Sequence, residues 1–349
     1  MNTGKKRRLP AEWEPQDAVL ICWPHEGTDW APVLERLEPV FIGIAAVITR
    51  FEHLIIAAPD KTAVENKLRA AGINPARVTV CEMASNDTWA RDFGPLTIYE
   101  NGTPVLLDFE FNGWGGKFPA ALDNQITGKL HAAGIFGTVP RRNMEIILEG
   151  GSIESDGAGT LMTTSACLLN LNRNPTLNKN EIEKKLTAEF GIEKFIWLNH
   201  GALAGDDTDA HIDTLARFCP HQTIVYMQCT DSADEHFTGL NAMENELRQL
   251  TGFHLLPLPW PKAKFDSAGN RMPVTYANFL VINGAVLVPV YNDPENDAAA
   301  LNILQTAFPE REIIGIDCSE IILQHGSLHC LTMQIPEGIF NRVYESLSS

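Results

Sequence analysis

A strand–turn–strand signal recurs along this chain and constrains the fold more than any other feature of the sequence. Apolar runs flank an Asn-Gly or Asp-Gly dipeptide, a pair that favours tight hairpin turns. The pattern occupies residues 95–108, 151–163 and 278–290, and a copy with a longer turn joins 211–218 to 223–227. Between these hairpins, apolar residues at helical spacing predict helices over 31–49, 63–71, 124–133, 179–190, 240–251 and 297–308. Asn178 and Asn296 are predicted to cap two of these helices.

Polar or reactive residues stand near the start of each repeated segment. Asp92, Glu149, His211, Tyr276 and Cys330 follow one another at separations of 57, 62, 65 and 54 residues. A period of about 60 residues that carries strands and a helix indicates a radial repeat. About five such units would close into a propeller-like α/β ring, with the starts of the first strands at its centre. The alternative is an ordinary α/β protein in which strands and helices alternate.

The 349 residues contain 44% hydrophobic side chains, which is enough for a sizeable core. We find no low-complexity segment and no long Ser/Gly/Pro linker, so we expect a single domain over 1–349. Residues 1–8 are predicted to be a flexible tail, because the basic residues near the start are not followed by the apolar stretch of a secretory signal.

The charge and the cysteines restrict the class of function. With 27 basic and 44 acidic residues, the formal net charge is −17, which disfavours nucleic acid and anionic membranes as partners and suits a small cation. No run of about 18 apolar residues predicts a membrane span. The seven cysteines are odd in number and form no Cys-x-x-Cys pair. They indicate a reducing, cytoplasmic location without a structural zinc site.

Two polar segments precede apolar strands. Residues 86–95 combine Asp87, Trp89 and Asp92 with an arginine, which fits either an Asp–Arg pair locking a turn or a carboxylate aimed into a pocket with an aromatic wall. In 148–153, Glu149 precedes Gly150 and Gly151, which fits either a β-bulge or a close approach of backbone to a ligand.

A third segment, 205–213, concentrates acids before a strand. It holds one histidine, His211, and four aspartates, Asp206, Asp207, Asp209 and Asp213. A metal site is an open alternative, although the segment lacks the Gly and Glu that an EF-hand calcium loop requires. If the segment is a strand, His211 and Asp213 face the same side and can act on one ligand.

The fourth segment places Cys330 after a Gly/Ser turn and His329. A lone cysteine is commonly a small buried hydrophobe. On a strand, His329 would point to the opposite face, so His211 from another strand is the better partner for Cys330.

A thiol, an imidazole and several carboxylates together favour chemistry on a guanidinium. This planar cation offers donors in a fork that two carboxylates can grip, and the grip holds its central carbon against the thiolate.

At these residues the sequence resembles the agmatine deiminase branch of the guanidine-modifying enzymes, which is related to the bacterial-type peptidylarginine deiminases. The resemblance runs from Leu9 to Pro336. Its most specific motifs lie at 87–95, 148–153, 168–175, 207–213 and 329–332. The resemblance implies a pentein-type, five-bladed, pseudo-fivefold α/β propeller with a central active site.

The resemblance also implies residue roles. Cys330 is the nucleophile and His211 the general acid and then the general base, while Asp92 and Asp213 grip the guanidinium. Glu149, with the Gly150-Gly151 turn, helps to orient the site. The substrate-binding residues it implies are Trp89, which walls the alkyl chain, Asp207 or Asp209, where the distal ammonium is expected, and Asp87, Gly150 and Gly151. Agmatine would be converted to N-carbamoylputrescine and ammonia, with no metal or organic cofactor.

This sequence departs from many agmatine deiminases, which carry a triple-glycine and asparagine stretch where 324–328 stand here. It has Asp207 where some relatives have Glu. No arginine stands out as a partner for a substrate carboxylate, which favours agmatine over free arginine. Peptidyl-arginine, free or methylated arginine, a non-catalytic binding scaffold and a metal-dependent hydrolase remain alternatives. The oligomeric state stays open, a homo-oligomer included.

Overall fold

A computed structural model describes residues 6–340. The strands are β1 Arg7–Arg8, β2 Gln16–Cys22, β3 His53–Ala58, β4 Val78–Glu82, β5 Leu96–Glu100, β6 Thr103–Glu110, β7 Arg141–Ile147, β8 Ile153–Ser155, β9 Thr160–Thr164, β10 Lys194–Leu198, β11 Ala216–Cys219, β12 Thr223–Met227, β13 His254–Leu258, β14 Leu280–Ile282, β15 Ala285–Val290, β16 Glu312–Asp317 and β17 Thr332–Pro336.

The α-helices are α1 Leu34–Phe51, α2 Lys61–Ala70, α3 Ala90–Phe93, α4 Gly113–Gly116, α5 Ile126–Ala132, α6 Ser165–Leu168, α7 Lys179–Phe190, α8 Phe237–Arg248 and α9 Pro294–Ala307. Short 3₁₀ turns cover Ala31–Val33, Pro75–Arg77, Asp123–Gln125, Gly150–Ser152, Ile212–Thr214 and Ile321–Gln324. Within 6–340, no helix is both long enough and apolar enough to span a bilayer.

The strands of the described chain form five sheets that share one plan. In each sheet, a first strand pairs antiparallel with a second, and the second pairs parallel with a third. A helix lies in the chain between the second and third strands of every unit, as a parallel pair requires. The fold is therefore α/β. The fifth unit draws on both ends of the chain, because β17 pairs with β2, which pairs with β3.

The parallel strand β3 is buried along its whole length. β2 and β4 pair with its two edges, and α1 packs against it. A strand that is buried on both faces has a nearly continuous apolar sequence, as β3 has from Leu54 onward.

The three Asn-Gly or Asp-Gly hairpins predicted from the sequence are confirmed as β5–β6, β8–β9 and β14–β15. In the first, Asn101 and Gly102 have φ values of 54° and 82°, as a tight hairpin turn demands. The fourth hairpin is confirmed as β11–β12, but its first strand begins at Ala216 and not at His211.

Each predicted helix has a counterpart, and the 179–190 helix has the predicted bounds. Asn178 caps it in a capping box with Glu181, as expected. The Asn296 cap is wrong: α9 begins at Pro294, because a proline is well suited to the first turn of a helix, and Asn296 lies inside that turn.

The chain start differs from the predicted tail. Arg7 and Arg8 form β1, which pairs with Glu100 and Tyr99 of β5. The Arg7 guanidinium also bonds to Glu100 and Glu189, at 3.0 and 2.8 Å. These contacts fix residues 7 and 8 against two neighbouring units; residues 1–5 of the expected tail lie outside the described part.

Candidate active site

Cys330 lies in a turn immediately before β17, and its side chain is buried. Asn278, which precedes β14, holds this turn: its Oδ1 accepts from the backbone N–H groups of His329 and Cys330, at 2.9 and 3.3 Å. Its Nδ2 lies 3.2 Å from the Cys330 sulfur and donates to it. One amide side chain thus fixes both the backbone and the thiol.

His211 and Asp213 lie on either side of Ile212 in a tight turn, not on a strand. His211 caps the 3₁₀ turn Ile212–Thr214, and both side chains are fully buried. The prediction that strand alternation turns them to one face is therefore wrong in its geometry. They nevertheless approach the same place, because the turn ends at the start of β11.

Gly151 marks the point where the site residues converge. A Cβ added there would lie 2.7 Å from His211 Nδ1, 3.0 Å from Asp213 Oδ2 and 3.0 Å from Asp92 Oδ1. A side chain at this position would therefore collide with the three groups. The Gly151 N–H donates to Asp92 Oδ1 at 2.9 Å, so the glycine also positions a carboxylate.

Asp92 is a buried carboxylate with two donors. Besides Gly151, the Trp114 indole N–H donates to Asp92 Oδ2 at 2.9 Å. His211 Nδ1 lies 3.7 Å from Asp92 Oδ1, and the Cys330 sulfur lies 3.7 Å from Asp213 Oδ2. The structure thus brings together the thiol, the imidazole and the two predicted gripping carboxylates.

Glu149 is fully buried, but Arg173 neutralises it. The Arg173 Nε lies 2.8 and 2.9 Å from the two carboxylate oxygens of Glu149. The neighbouring Gly150 is packed so closely that a Cβ would come within 2.2 Å of the Arg91 carbonyl oxygen. Glu149 and Gly150 thus belong to the frame of the site.

Burial places the reactive groups in unusual protonation states. Burial, with the charges of Asp213 and Glu149, raises the pKa of Asp92 to about 8. Burial lowers the pKa of His211 to about 3. Burial and the charges of Asp213 and Asp92 raise the pKa of the Cys330 thiol well above its usual value. At neutral pH the centre therefore holds a thiol, a neutral imidazole and a protonated carboxyl.

Asp213 behaves in the opposite way. Burial alone would raise its pKa, but a hydrogen bond from His329, together with the charges of His329 and His211, holds that pKa below its usual value. Its Oδ1 has no hydrogen-bond partner among the described residues, and the same is true of both ring nitrogens of His211. An ionised carboxylate oxygen and an imidazole thus remain available to a ligand.

A cavity of about 150 Å³ leads to Cys330 and Asp92. Its aromatic wall is formed by Trp89, Trp114 and Phe118. Gly326 packs flat against Trp89, since a Cβ there would lie 2.3 Å from the indole Cζ3. The predicted aromatic wall is thus present, with Trp114 in addition to Trp89.

Three acids besides Asp92 line the same cavity. They are Asp29, Asp87 and Asp207, and His325 lies beside Asp207. Burial raises the pKa of Asp87 to about 6. Asp209, which was expected here, instead pairs with Lys117 Nζ at 2.9 Å and with Arg173 Nη1 at 2.7 Å.

Several site residues escaped prediction. Asn278 stands two positions after Tyr276, which the repeat spacing had selected; Tyr276 instead bonds to Asp297 through its hydroxyl at 2.7 Å. The polar-residue-before-strand rule applies equally to Asn278, so the signal was present. Arg173 lay within a recognised motif, but nothing in the sequence named Glu149 as its partner.

Glu149, Cys167 and His211 come close enough to one another to ligate a metal, with ligand atoms within 4.8 Å. However, both oxygens of Glu149 already contact the Arg173 guanidinium. A divalent cation at this point would face that fixed positive charge. The trio is better explained by the Glu149–Arg173 pair and by the role of His211 in the centre.

Solved structures resemble this chain over most of its length. A cysteine-to-serine variant of Campylobacter jejuni agmatine deiminase with substrate bound is 40% identical, with a TM-score of 0.91 and 97% and 99% of the two chains covered. The agmatine deiminase of Enterococcus faecalis is 29% identical, with a TM-score of 0.84 and 96% and 98% covered. A Porphyromonas gingivalis structure provisionally named arginine deiminase is 49% identical, with a TM-score of 0.90 and 96% and 100% covered.

More distant structures share the fold alone: a dimethylarginine dimethylaminohydrolase adduct is 12% identical, with a TM-score of 0.50 over 92% of this chain and 100% of the other. Among sequences, a Shewanella protein (strain W3-18-1) provisionally named agmatine deiminase is 36% identical over 95% of this chain and 94% of its own. The family model for Porphyromonas-type peptidyl-arginine deiminase matches residues 8–336. This chain therefore belongs to the Porphyromonas-type peptidyl-arginine deiminase family.

Proposed function

We propose that this protein hydrolyses the guanidinium group of agmatine, releasing ammonia and N-carbamoylputrescine. The observation that carries the proposal is the convergence of Cys330, His211, Asp92 and Asp213 around Gly151, at the end of an acidic cavity. A guanidinium presents N–H donors in a plane, and Asp213 Oδ1 is an acceptor without a partner among the described residues.

In the proposed reaction, the bound guanidinium supplies the positive charge that the centre lacks. Its positive charge beside Asp92 and Asp213 favours their ionised forms and stabilises a thiolate at Cys330. The thiol passes its proton to His211, and the thiolate attacks the central carbon. His211 then protonates the departing nitrogen, which leaves as ammonia, and an S-alkylthiouronium remains on Cys330.

The second half of the reaction regenerates the free enzyme from the covalent intermediate. His211 takes a proton from a water, the hydroxide adds to the central carbon, and the carbon–sulfur bond breaks as the ureido product forms. The Cys330 thiol is restored by the proton that the adduct gives up, and His211 releases the proton that it took from water to the solvent. Glu149 and Arg173 keep their roles as a neutral frame beside His211. No step uses a metal or an organic cofactor.

The acids of the cavity support agmatine over arginine. Among the cavity residues, the titratable groups other than Asp92 and Cys330 are Asp29, Asp87, Asp207 and His325, which suit an ammonium more than a carboxylate. We assign the distal ammonium to Asp87 and Asp207, because Asp209 is already paired with two cations. The net charge of −17 adds a long-range attraction for a dication.

We also propose that the five sheets form one five-bladed, pseudo-fivefold propeller domain with the active site at its centre. The support is their shared strand plan, the closure of the chain by β17 and β2, and the position of Asp92, Glu149, His211, Asn278 and Cys330 before the first strand of each unit.

The seven free cysteines fit a reducing compartment such as the cytoplasm.

An ammonia-release assay tests the function with three guanidines: agmatine, free arginine and a peptide that ends in arginine. We expect the highest kcat/KM for agmatine. Mass spectrometry should show a ureido product in which one oxygen has replaced one NH group of the substrate. A higher kcat/KM for arginine or the peptide would overturn the choice of agmatine. Ammonia release unaffected by iodoacetamide would overturn the thiol mechanism.

A further inference from the structure

The proposed reaction gives no task to the imidazole that stands beside the nucleophile in the chain. His329 precedes the nucleophile and is fully buried. Its Nδ1 lies 2.7 Å from Asp213 Oδ2, and its Nε2 lies 2.8 and 3.0 Å from the two oxygens of Glu12. The ring therefore bridges a carboxylate of the reaction centre and a carboxylate of the segment before β2.

Glu12 is itself firmly held. The Arg91 Nη1 donates to it at 3.0 Å and the Gln334 Nε2 at 2.9 Å, and Arg217 donates through its Nη2. Burial alone would raise the pKa of Glu12, but the charges of Arg217, His329 and Arg91 hold that pKa well below its usual value. Glu12 is thus a fixed anion at the far side of His329 from the reaction centre.

The hydrogen bonds determine how His329 can act. An ionised Asp213 accepts the Nδ1–H, and this fixes the Oδ2 side of the carboxylate. The same Oδ2 lies 3.7 Å from the Cys330 sulfur and would lie 3.0 Å from a Cβ at Gly151, while Oδ1 has no partner among the described residues. If the Nδ1–H were lost, the Asp213 carboxylate could rotate about its Cβ–Cγ bond, and neither oxygen would keep its direction.

We propose that His329, anchored by Glu12, is a positioning residue that directs Asp213 toward the guanidinium. The inference rests on the proposed function and extends it to a residue that does not touch the reacting atoms. It also gives a role to the contact between Glu12 and His329, which are 317 residues apart in the chain: this contact anchors the imidazole that orients Asp213.

Two substitutions of His329 separate its two contacts. Asparagine places an amide nitrogen near the position of Nδ1, so His329→Asn retains a donor to Asp213 and gives up Glu12. Glutamine reaches the position of Nε2, so His329→Gln retains a contact to Glu12 and gives up Asp213. A role limited to filling the core and balancing Glu12 predicts that glutamine is the better replacement.

Positioning of Asp213 predicts the reverse. With agmatine as substrate, His329→Gln should raise KM roughly tenfold to hundredfold, the effect of losing one hydrogen bond to a charged group, with a smaller change in kcat. His329→Asn should keep KM within about threefold of the wild type. Melting curves by circular dichroism establish that both variants are folded.

Equal KM values for the two variants, or a lower KM for His329→Gln than for His329→Asn, would overturn the positioning role. If the wild type still converted agmatine in that case, the proposed function would be unaffected. If His329→Gln does not fold, His329→Ala gives the second measurement. It removes the donor to Asp213 altogether and should raise KM at least as much as is expected for His329→Gln, so a KM within about threefold of the wild type would reject the positioning role. A wild type that releases no ammonia from any of the three guanidines would overturn the function and this inference together.

Discussion

The raised pKa of Asp92 predicts how the stability of the substrate-free protein changes with pH. An aspartate in an unfolded chain titrates near pH 3.9, whereas burial and two neighbouring acids raise the pKa of Asp92 to about 8 in the folded protein. Between these values the folded state holds one proton more than the unfolded state. The stability contributed by this group is therefore complete below about pH 4 and is lost as the pH rises toward 8.

Asp92→Asn removes this titration while keeping the shape of the neutral carboxyl. Each pH unit within the window is worth about 1.4 kcal/mol, so between about pH 5 and pH 8 the variant should gain about 4 kcal/mol relative to the wild type. Free energies of unfolding from urea titrations at the two pH values give the difference. The variant should at the same time lose agmatine binding, because a neutral amide cannot pair with the cation.

Asp293→Asn is the matched control, because it changes a buried carboxylate whose pKa is lowered and which pairs with Lys262 Nζ at 3.1 Å. Asp293 is ionised in both the folded and the unfolded chain between pH 5 and pH 8. Its replacement should thus cost a similar free energy at both pH values. If the Asp92→Asn difference were as independent of pH as the Asp293→Asn difference, Asp92 would not be neutral in the folded protein.

Three further predictions concern turnover, the cavity wall and the buried ion pair. Cys330→Ala should abolish ammonia release yet still be stabilised by agmatine in a thermal melt; turnover by this variant would reject the nucleophile. Gly326→Ala should push Trp89 from the cavity wall and raise KM for agmatine about tenfold or more, and an unchanged KM would show that this wall does not contact substrate. Arg173→Met should leave Glu149 buried and unpaired and lower the free energy of unfolding by about 3–5 kcal/mol, whereas a loss below about 1 kcal/mol in denaturant titrations would contradict that pairing.

Features encoded by neighbouring residues could be predicted from the sequence. The Asn101-Gly102 turn and the Asn178 cap depend on contacts within a few residues, and both were found. The rule that a polar residue before an apolar strand needs a purpose also located Asp92 and Cys330. The turn and the cap were predicted correctly because their physical cause lies inside one window of sequence.

Contacts between distant segments could not be predicted in the same way. The partner of His329 is Glu12, and the partner of Glu149 is Arg173, and no periodicity encodes either pairing. The pattern at 211–213 also predicted a strand, with His211 and Asp213 on one face, whereas a turn brings them to the site. Long-range ion pairs and irregular turns depend on the whole fold, and local pattern cannot supply them.

The electrostatics of the centre connect the choice of substrate with the timing of catalysis in the proposed mechanism. Without a cation, the pKa of the Cys330 thiol is raised by burial and by Asp213 and Asp92, so the nucleophile stays protonated. A guanidinium between the carboxylates offsets this effect, so binding and activation are one event. A urea has nearly the same shape but no charge, and it cannot ionise Asp92 or stabilise the thiolate. The ureido product therefore loses, as it forms, the attraction that held the substrate, and its release follows from the same two carboxylates that selected the guanidinium.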